Sequence, residues 1–239
     1  EKLRHQAYHD QLTGLPNRLL LLRTAADALE GIRSTRNNVA ILFMDVDRLK
    51  DVNDTVGHEI GDALLAQVAN RITHATRPSD VVARIGGDEF VVLCDGNIDE
   101  HTAVDLAERI RHSLSGRIMV HGVEVELSVS VGVAVGLPAH LEGVSCQEAA
   151  IELLRNADIA MYQAKLAGKN GHRFYNLAMD QAVERRMRME QELRGAWERG
   201  ELSLAYQPVF RMEDKALLGV EALLRWSHPE FGNVAPSVF

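Results

Sequence analysis

The stretch Arg84-Ile85-Gly86-Gly87-Asp88-Glu89-Phe90 lies between two β-branched pairs, Val81-Val82 and Val91-Val92. Apolar runs on either side of a glycine pair specify two strands joined by a tight reversal, because glycine accepts the positive φ that such a turn needs. Without Cβ atoms, Gly86 and Gly87 also leave the backbone open to a ligand. They put Asp88 and Glu89 at the tip, where carboxylates can hold a divalent cation. A plain solvated turn would more commonly use Asn-Gly or Asp-Gly, but the tetrapeptide alone fits either a surface turn or a chemical site.

The flanking sequence supplies the rest of a mixed fold. Asn17 to about Arg33 carries Leu19, Leu22, Ala26 and Leu29 at helical spacing behind a Leu-Pro-Asn start. Val39–Met44 is a continuous apolar run ending at Asp45, the pattern of a strand buried on both faces. Helical patterns follow at Leu49–Val56, Glu59–Thr76, Asp99–Leu114 and Cys146–Ala167, the last closed by Gly168. Val123–Val135 alternates and reads as one extended, half-buried strand, and His172–Tyr175 as a short one. The expectation is an α+β domain over residues 1–175: a central, mostly antiparallel five-stranded sheet wrapped by helices. A charge-rich connector helix over 176–200 then leads to strand-like Leu202–Phe210 and Leu217–Trp226, parted by Glu213-Asp214-Lys215. The 39 residues of 201–239 are too few to close a core of their own, so a longer parent polypeptide is expected, and Leu223 and Trp226 should pack on the connector or a neighbouring chain, or be poorly ordered. The charged opening Glu1-Lys2-Leu3-Arg4 reads as the end of a helix from an upstream domain.

Bulk properties exclude several classes. A net charge of −8 argues against a nucleic-acid coat or a basic membrane-surface binder. No apolar run approaches the roughly 18 residues of a membrane span. Cys94 and Cys146 lie far apart, form no CxxC pair and read as buried small groups in a reduced, cytoplasmic compartment. The histidines show no zinc spacing and neither cysteine has a local base.

Chemistry gathers around the turn. If the strand ending at Asp45 lies beside the hairpin, Asp45 and Asp88 face one cation from two strand ends. Magnesium suits that arrangement, since it takes one or two carboxylates and completes its shell with phosphate and water. Asp-x-Asp, as in Asp45-Val46-Asp47, is by itself more often a helix N-cap. The helix after Asp47 presents free N–H groups to a phosphate, with Lys50 on its first turn. Asn53, His58 and Asp62 combine an amide and a carboxylate, the pair needed to read a guanine edge, but they also suit capping around Gly57 and Gly61. Lys165 and Lys169 sit at and just past a helix C-terminus, which explains them electrostatically as well as neutralisation of a triphosphate would.

Taken in order, these segments resemble a GGDEF domain, the diguanylate cyclase family. The matching text is Asp10-Gln11-Leu12-Thr13-Gly14-Leu15-Pro16-Asn17-Arg18, Asp45-Val46-Asp47-Arg48-Leu49-Lys50, Asn53-Asp54, Gly57-His58…Gly61-Asp62, Arg84–Phe90 and Asp158–Lys165. Leu49 departs from the phenylalanine common there, which is harmless where only backbone meets phosphate. The tail resembles the start of an EAL domain, the cyclic-di-GMP phosphodiesterases, through Tyr206-Gln207-Pro208-Val209, Gly219–Trp226 and His228-Pro229-Glu230…Gly232. Glu221 falls on a metal-binding position of that family, but its remaining ligands and base are absent from this sequence, so no hydrolysis is expected of this piece.

The resemblance implies condensation of two GTP to cyclic di-GMP with release of two pyrophosphates, by two domains face to face in a homodimer. It assigns Asp45, the Val46 carbonyl and Asp88 to Mg2+ (or Mn2+), and Asp88 or Glu89 to deprotonation of the 3′-hydroxyl. Asn53, Asp62 and nearby His58 would read guanine; Lys50, Lys165, Lys169 and amides near Leu49 would hold phosphates; Gly86 and Gly87 would admit the ligand, with Arg84 a lesser contact. Arg77-Pro78-Ser79-Asp80 has the form and placement of the family's product-inhibition site, so cyclic di-GMP is expected as inhibitor as well as product. The other reading is a non-catalytic domain that binds GTP or cyclic di-GMP and regulates an attached phosphodiesterase. A cytoplasmic location is expected, with membrane anchoring of the parent only through an upstream sensory domain.

Overall fold

The computed structural model describes residues 6–35, 37–96 and 98–236; the helical opening expected over Glu1–Arg4 lies outside them. Strand β1 (Asn38–Val46) is the middle of a five-stranded sheet, as its unbroken apolar sequence requires. It pairs antiparallel with β3 (Glu89–Gly96) on one side and with β6 (Val129–Gly136) on the other. Outside these lie β2 (Val81–Gly86), antiparallel to β3, and the short β7 (His172–Phe174), parallel to β6. The order is β2-β3-β1-β6-β7, the expected mostly antiparallel α+β sheet.

Side-chain alternation along β1 feeds two cores. Ala40, Leu42, Met44 and Val46 face one, and Val39, Ile41 and Phe43 the other. The first is covered by α3 (His58–Ala75) and α4 (Glu100–Ser113), and by a hairpin of β4 (Gly116–Val120) and β5 (Val123–Leu127). The second is covered by α1 (Arg18–Thr35) and α5 (Cys146–Leu166). Each fully buried Leu, Ile or Met contributes about 1.5–3 kcal/mol, so β1 is the most strongly anchored element. The short α2 (Leu49–Val56) follows β1 directly and packs beside α3.

Local chemistry sets the helix starts. Asn17 Oδ1 accepts from the Leu19 and Leu20 N–H groups, and Asp99 caps α4 through Thr102. Ser145 and Glu148 form a reciprocal capping box on α5. That cap orients the helix that later carries Asp158 and Lys165.

Two expectations need correction. Val123–Val135 is not one strand: β5 and β6 are separated at Ser128 and belong to different sheets, with β5 pairing instead with β4. β6 is also buried on both faces, because helices cover each side of it. Cys94 is buried as expected, whereas Cys146 is only partly so and donates its S–H to Glu30.

The chain divides into two compact units, Glu1–Met179 and Asp180–Phe239. Helix α6 (Leu177–Leu193) ends earlier than the expected connector, since Gly195 and Gly200 follow it and Gly200 takes φ +71°. In the second unit, β8 (Leu202–Phe210), β9 (Leu217–His228) and β10 (Gly232–Val234) form an open antiparallel sheet. Trp226 is 1% exposed, packed with Met189, Ala196 and Val234, and its indole N–H donates to Glu201. Of the outcomes foreseen for Trp226, packing on the connector is the one observed.

Gly132 in β6 lets α5 approach: a Cβ there would overlap the Ala157 carbonyl oxygen and the Met161 backbone nitrogen. Both obstacles are backbone and cannot swing aside. Gly132→Ala is expected to lower stability by about 1–3 kcal/mol, read as a lower urea midpoint. An unchanged midpoint would show that α5 can retreat freely.

Candidate active site

The site forms where β1 ends. Asp45 shares the parity of Ile41 and Phe43, so its side chain points to the face covered by α1 and α5. There Lys165, in the last turn of α5, meets it with Nζ 2.6 Å from Asp45 Oδ2. Register places Glu89 directly across from Asp45, and the Val46 N–H donates to the Asp88 carbonyl at 3.1 Å. The hairpin tip is therefore stitched to the end of β1. Gly86 pairs with Glu89, leaving Gly87 and Asp88 as the loop, and only Gly87 of the glycine pair has positive φ, +50°. That is the first-position glycine of a II′-like turn. Both glycines face open space, so the tip is accessible to a ligand.

Asp45 is 5% exposed. Burial lifts its pKa from 3.8 to about 6, with Asp88 and Asp47 adding to the rise and Lys165 opposing it. Glu89 is also raised, first by burial and then by Asp158 and Asp88, while Lys165 and Arg18 act the other way. Asp158 is exposed over much of its surface, yet desolvation of its carboxyl still raises its pKa. Asp45, Asp88, Glu89 and Asp158 thus crowd together, with Lys165 and Arg18 acting against the mutual repulsion. Like charges on facing strand positions repel. The arrangement favours an added cation.

Asp45, Asp47, Arg48, Leu49, Lys50, Asp51, Asp88, Lys165 and Lys169 line a cleft of about 240 Å³. Among the described residues, no three acidic, histidine or cysteine side chains form a metal cage. Magnesium does not need one: two carboxylates, with Asp45 and Asp88 on this cleft, leave the remaining positions to phosphate and water. The donor set fits the ion. Arg48, just before α2, has φ +61°, which turns the chain sharply so that α2 starts at the cleft.

Asn53, His58 and Asp62 do not line this cleft. Asn53 lies about one turn further along α2 from Lys50 and Leu49, while His58 and Asp62 are exposed on the first turns of α3. The Asn53 Oδ1 atom is buried without a hydrogen-bond partner. It occupies the space that any side chain at Gly61 would need. A buried acceptor left unpaired costs roughly 1–3 kcal/mol, an expense typical of sites that await a ligand donor.

Arg84 is placed differently from a substrate contact. Its Nη1 reaches both Asp10 oxygens at 3.0 and 3.1 Å, and its Nε and Nη2 donate to the Gly87 carbonyl at 3.1 and 2.7 Å. Burial raises Asp10, but hydrogen bonds from Thr13 and Arg84 outweigh it and lower its pKa. Arg84 thereby braces the turn from beneath. Arg77 and Asp80 lie at the other end of β2: Asp80 Oδ2 accepts the Arg77 N–H at 2.8 Å, beside a separate cavity of about 190 Å³ that also contains Arg109. Cys94 borders that cavity, and burial pushes its thiol up to about 12.

Sequence reasoning quoted Asp10 and Asp158 without giving them a role and read Asp47 as a candidate helix N-cap, whereas the cap position is Arg48 and no side chain caps that helix. Asp47 accepts from Ser128 Oγ and Ser130 Oγ at 2.8 Å and from the Asn170 N–H at 3.1 Å. Its partners are more than 80 positions away, so no local signal could reveal them.

The family model described as diguanylate cyclase, GGDEF domain, matches residues 7–171, and the chain belongs to that family. A partial match to the EAL domain covers residues 190–239. The chain is 40% identical over 237 residues to MucR of Pseudomonas aeruginosa, a bifunctional diguanylate cyclase/cyclic di-GMP phosphodiesterase, covering 98% of this chain and 33% of MucR. It is 38% identical to the cyclic di-GMP phosphodiesterase NbdA of the same organism, covering 99% of this chain and 29% of NbdA. It therefore spans about a third of the length of these relatives. The solved GGDEF domain of TpbB (YfiN) from P. aeruginosa superposes with a TM-score of 0.67 at 36% identity, covering 74% of this chain and 99% of that one. Among the described residues no helix is long and apolar enough to cross a membrane.

The raised Asp45 pKa has a stability consequence. Folding favours its protonated form, so its contribution is present below pH 3.8 and is lost as pH rises through about 6. In EDTA, wild type relative to Asp45→Asn should lose about 2–3 kcal/mol between pH 4 and pH 7. A difference between the two proteins that stays constant with pH would refute the assignment.

Proposed function

We propose that this GGDEF domain is a magnesium-dependent diguanylate cyclase that works as a homodimer. The observation that carries the proposal is the placement of Asp45 and Asp88 on one cleft, with Lys165 against Asp45. Asp45, Asp88 and the Val46 carbonyl would hold the ion. When bound, the divalent cation supplies charge neutralisation at the phosphates and lowers the pKa of an oxygen it contacts.

The chain's own residues do the remaining work. Lys50, Lys165, Lys169 and the backbone near Leu49 would bind the triphosphate, with Lys165 standing between Asp45 and the phosphates. Asn53 and Asp62 would orient the guanine, with His58 beside them. The 3′-oxygen of one GTP forms a bond to the α-phosphorus of the other; the bond to the bridging oxygen breaks and pyrophosphate leaves with that electron pair. Glu89 takes the 3′-proton, its raised pKa suiting a general base, and Asp88 stays with the ion. The reciprocal step on the facing domain closes the ring. Positioning of two bound nucleotides supplies most of the rate, so one domain alone binds GTP without cyclising it. Use of GTP supports a cytoplasmic location for the domain.

Relatedness to NbdA, named for phosphodiesterase activity, supports a second reading: a GTP- or cyclic-di-GMP-binding domain that regulates an EAL domain in a longer parent. Both turn carboxylates remain here, which favours turnover. Incubation with GTP and Mg2+ should yield cyclic di-GMP, and Asp88→Ala should lower the rate by at least about 100-fold, in line with loss of charge stabilisation. Nucleotide binding without product would favour the regulatory reading.

Arg77 and Asp80, with Arg109 on the same cavity, form a basic and acidic pair suited to a phosphate and a guanine of the product. Arg77→Ala should therefore keep cyclase activity and lose inhibition by added cyclic di-GMP. An unaltered inhibition curve would remove this assignment.

A further inference from the structure

We infer that Asp47 is a positioning residue for Lys169, setting where that cation stands at the phosphate end of the cleft. This rests on the cyclase reading above and adds to it a residue whose carboxylate oxygens are taken up by donors of the protein itself.

Asp47 is 5% exposed and receives three hydrogen bonds, from Ser128 Oγ, Ser130 Oγ and the Asn170 N–H. Its own N–H donates to the Ser128 carbonyl at 2.9 Å. Three donors converging on one buried side chain call for a group that only accepts, which an ionised carboxylate is and an amide or hydroxyl is not. The residue joins three places: the end of β1, the break between β5 and β6, and the turn that follows α5.

That turn is the unusual part. Gly168, Lys169 and Asn170 have successive φ values of +119°, +63° and +43°. Glycine takes this region freely and asparagine more readily than most residues, whereas lysine avoids it unless its surroundings hold it there. The holders are visible. Lys169 N–H donates to the Ala164 carbonyl, and Asn170 Oδ1 lies 3.3 Å from both Arg111 Nη1 and Ser115 Oγ. On the cleft side, the bond from Asn170 N–H to Asp47 ties the turn to the strand that carries Asp45. Lys169 is the residue immediately before that bond and lines the same cleft as Asp45, Asp88 and Lys165. Losing Asp47 removes this tie to β1, and Lys169 is then free to leave the phosphates.

A purely architectural role for Asp47 would cost stability without depending on what stands at 169. A double-mutant cycle separates the two. Asp47→Ala and Lys169→Met are made singly and together, and the Kd of the non-cyclisable analogue α,β-methylene-GTP is measured by calorimetry with Mg2+ in each protein, with the urea midpoint as a fold check. Asp47→Ala should weaken binding about tenfold when Lys169 is present and less than about twofold once Lys169→Met is in place. Equal effects in both backgrounds would overturn the inference. Should Asp47→Ala not fold, Asp47→Leu, which fills the space but offers no acceptor to the Asn170 N–H, carries the same cycle, and additivity there overturns it equally. Wild-type protein that fails to bind the analogue would remove the cyclase reading itself, whereas wild-type binding with additive variants removes only this inference.

Discussion

Eight consecutive residue pairs, from Asn38 opposite Gly96 to Asp45 opposite Glu89, lock β1 against β3, and the site exists because of that register. A slip of one residue would turn Asp45 to the face of Met44 and Val46, away from Lys165, and would exchange the β1 side chains between the two cores. The register is strongly specified because both faces of β1 are buried: any shift would carry Ile41 and Phe43 out of one core and Leu42 and Met44 out of the other. The same burial that sets the register also desolvates Asp45. Fold and site chemistry therefore share one cause.

A buried end of a strand is an expensive place for carboxylates. Asp45 and Glu89 face each other, with Asp88 and Asp158 close by, and Lys165 and Arg18 partly offset them. Structural support comes from below the site. Arg84 holds the turn through the Gly87 carbonyl and anchors itself on Asp10, a charge-assisted pairing with little freedom left to the guanidinium. Asp47 does the corresponding work between β1, Ser128, Ser130 and Asn170. Rigid supports of this kind hold the repelling groups at a fixed distance from one another.

Much of the fold was legible because its signals are local. The apolar run ending at Asp45, the glycine turn after two valines, and the helix starts at Asn17 and Ser145 each carry their physical reason within a few residues. The break at Ser128 was not, since valine and leucine alternate without interruption on both sides and neither glycine nor proline marks the change of sheet. The grouping of Asp45, Asp88, Lys165 and Lys169 on one cleft was foreseen from strand ends and helix termini. The brace made by Arg84 and the hub at Asp47 depend on partners 74 and more than 80 residues away, a distance over which spacing holds no information. The buried Asn53 oxygen likewise follows from how closely α2 and α3 pack at Gly61, a tertiary fact.

The central claim is that the ends of β1 and the adjoining hairpin jointly seat a divalent cation beside a purine triphosphate. Crystals of the protein grown with Mn2+ and a non-cyclisable GTP analogue would test it through the anomalous signal of the metal. The account predicts a peak within bonding distance of carboxylate oxygens of both Asp45 and Asp88, with phosphate oxygens completing the shell. A nucleotide bound with its metal elsewhere, or held by only one of those two residues, would contradict it.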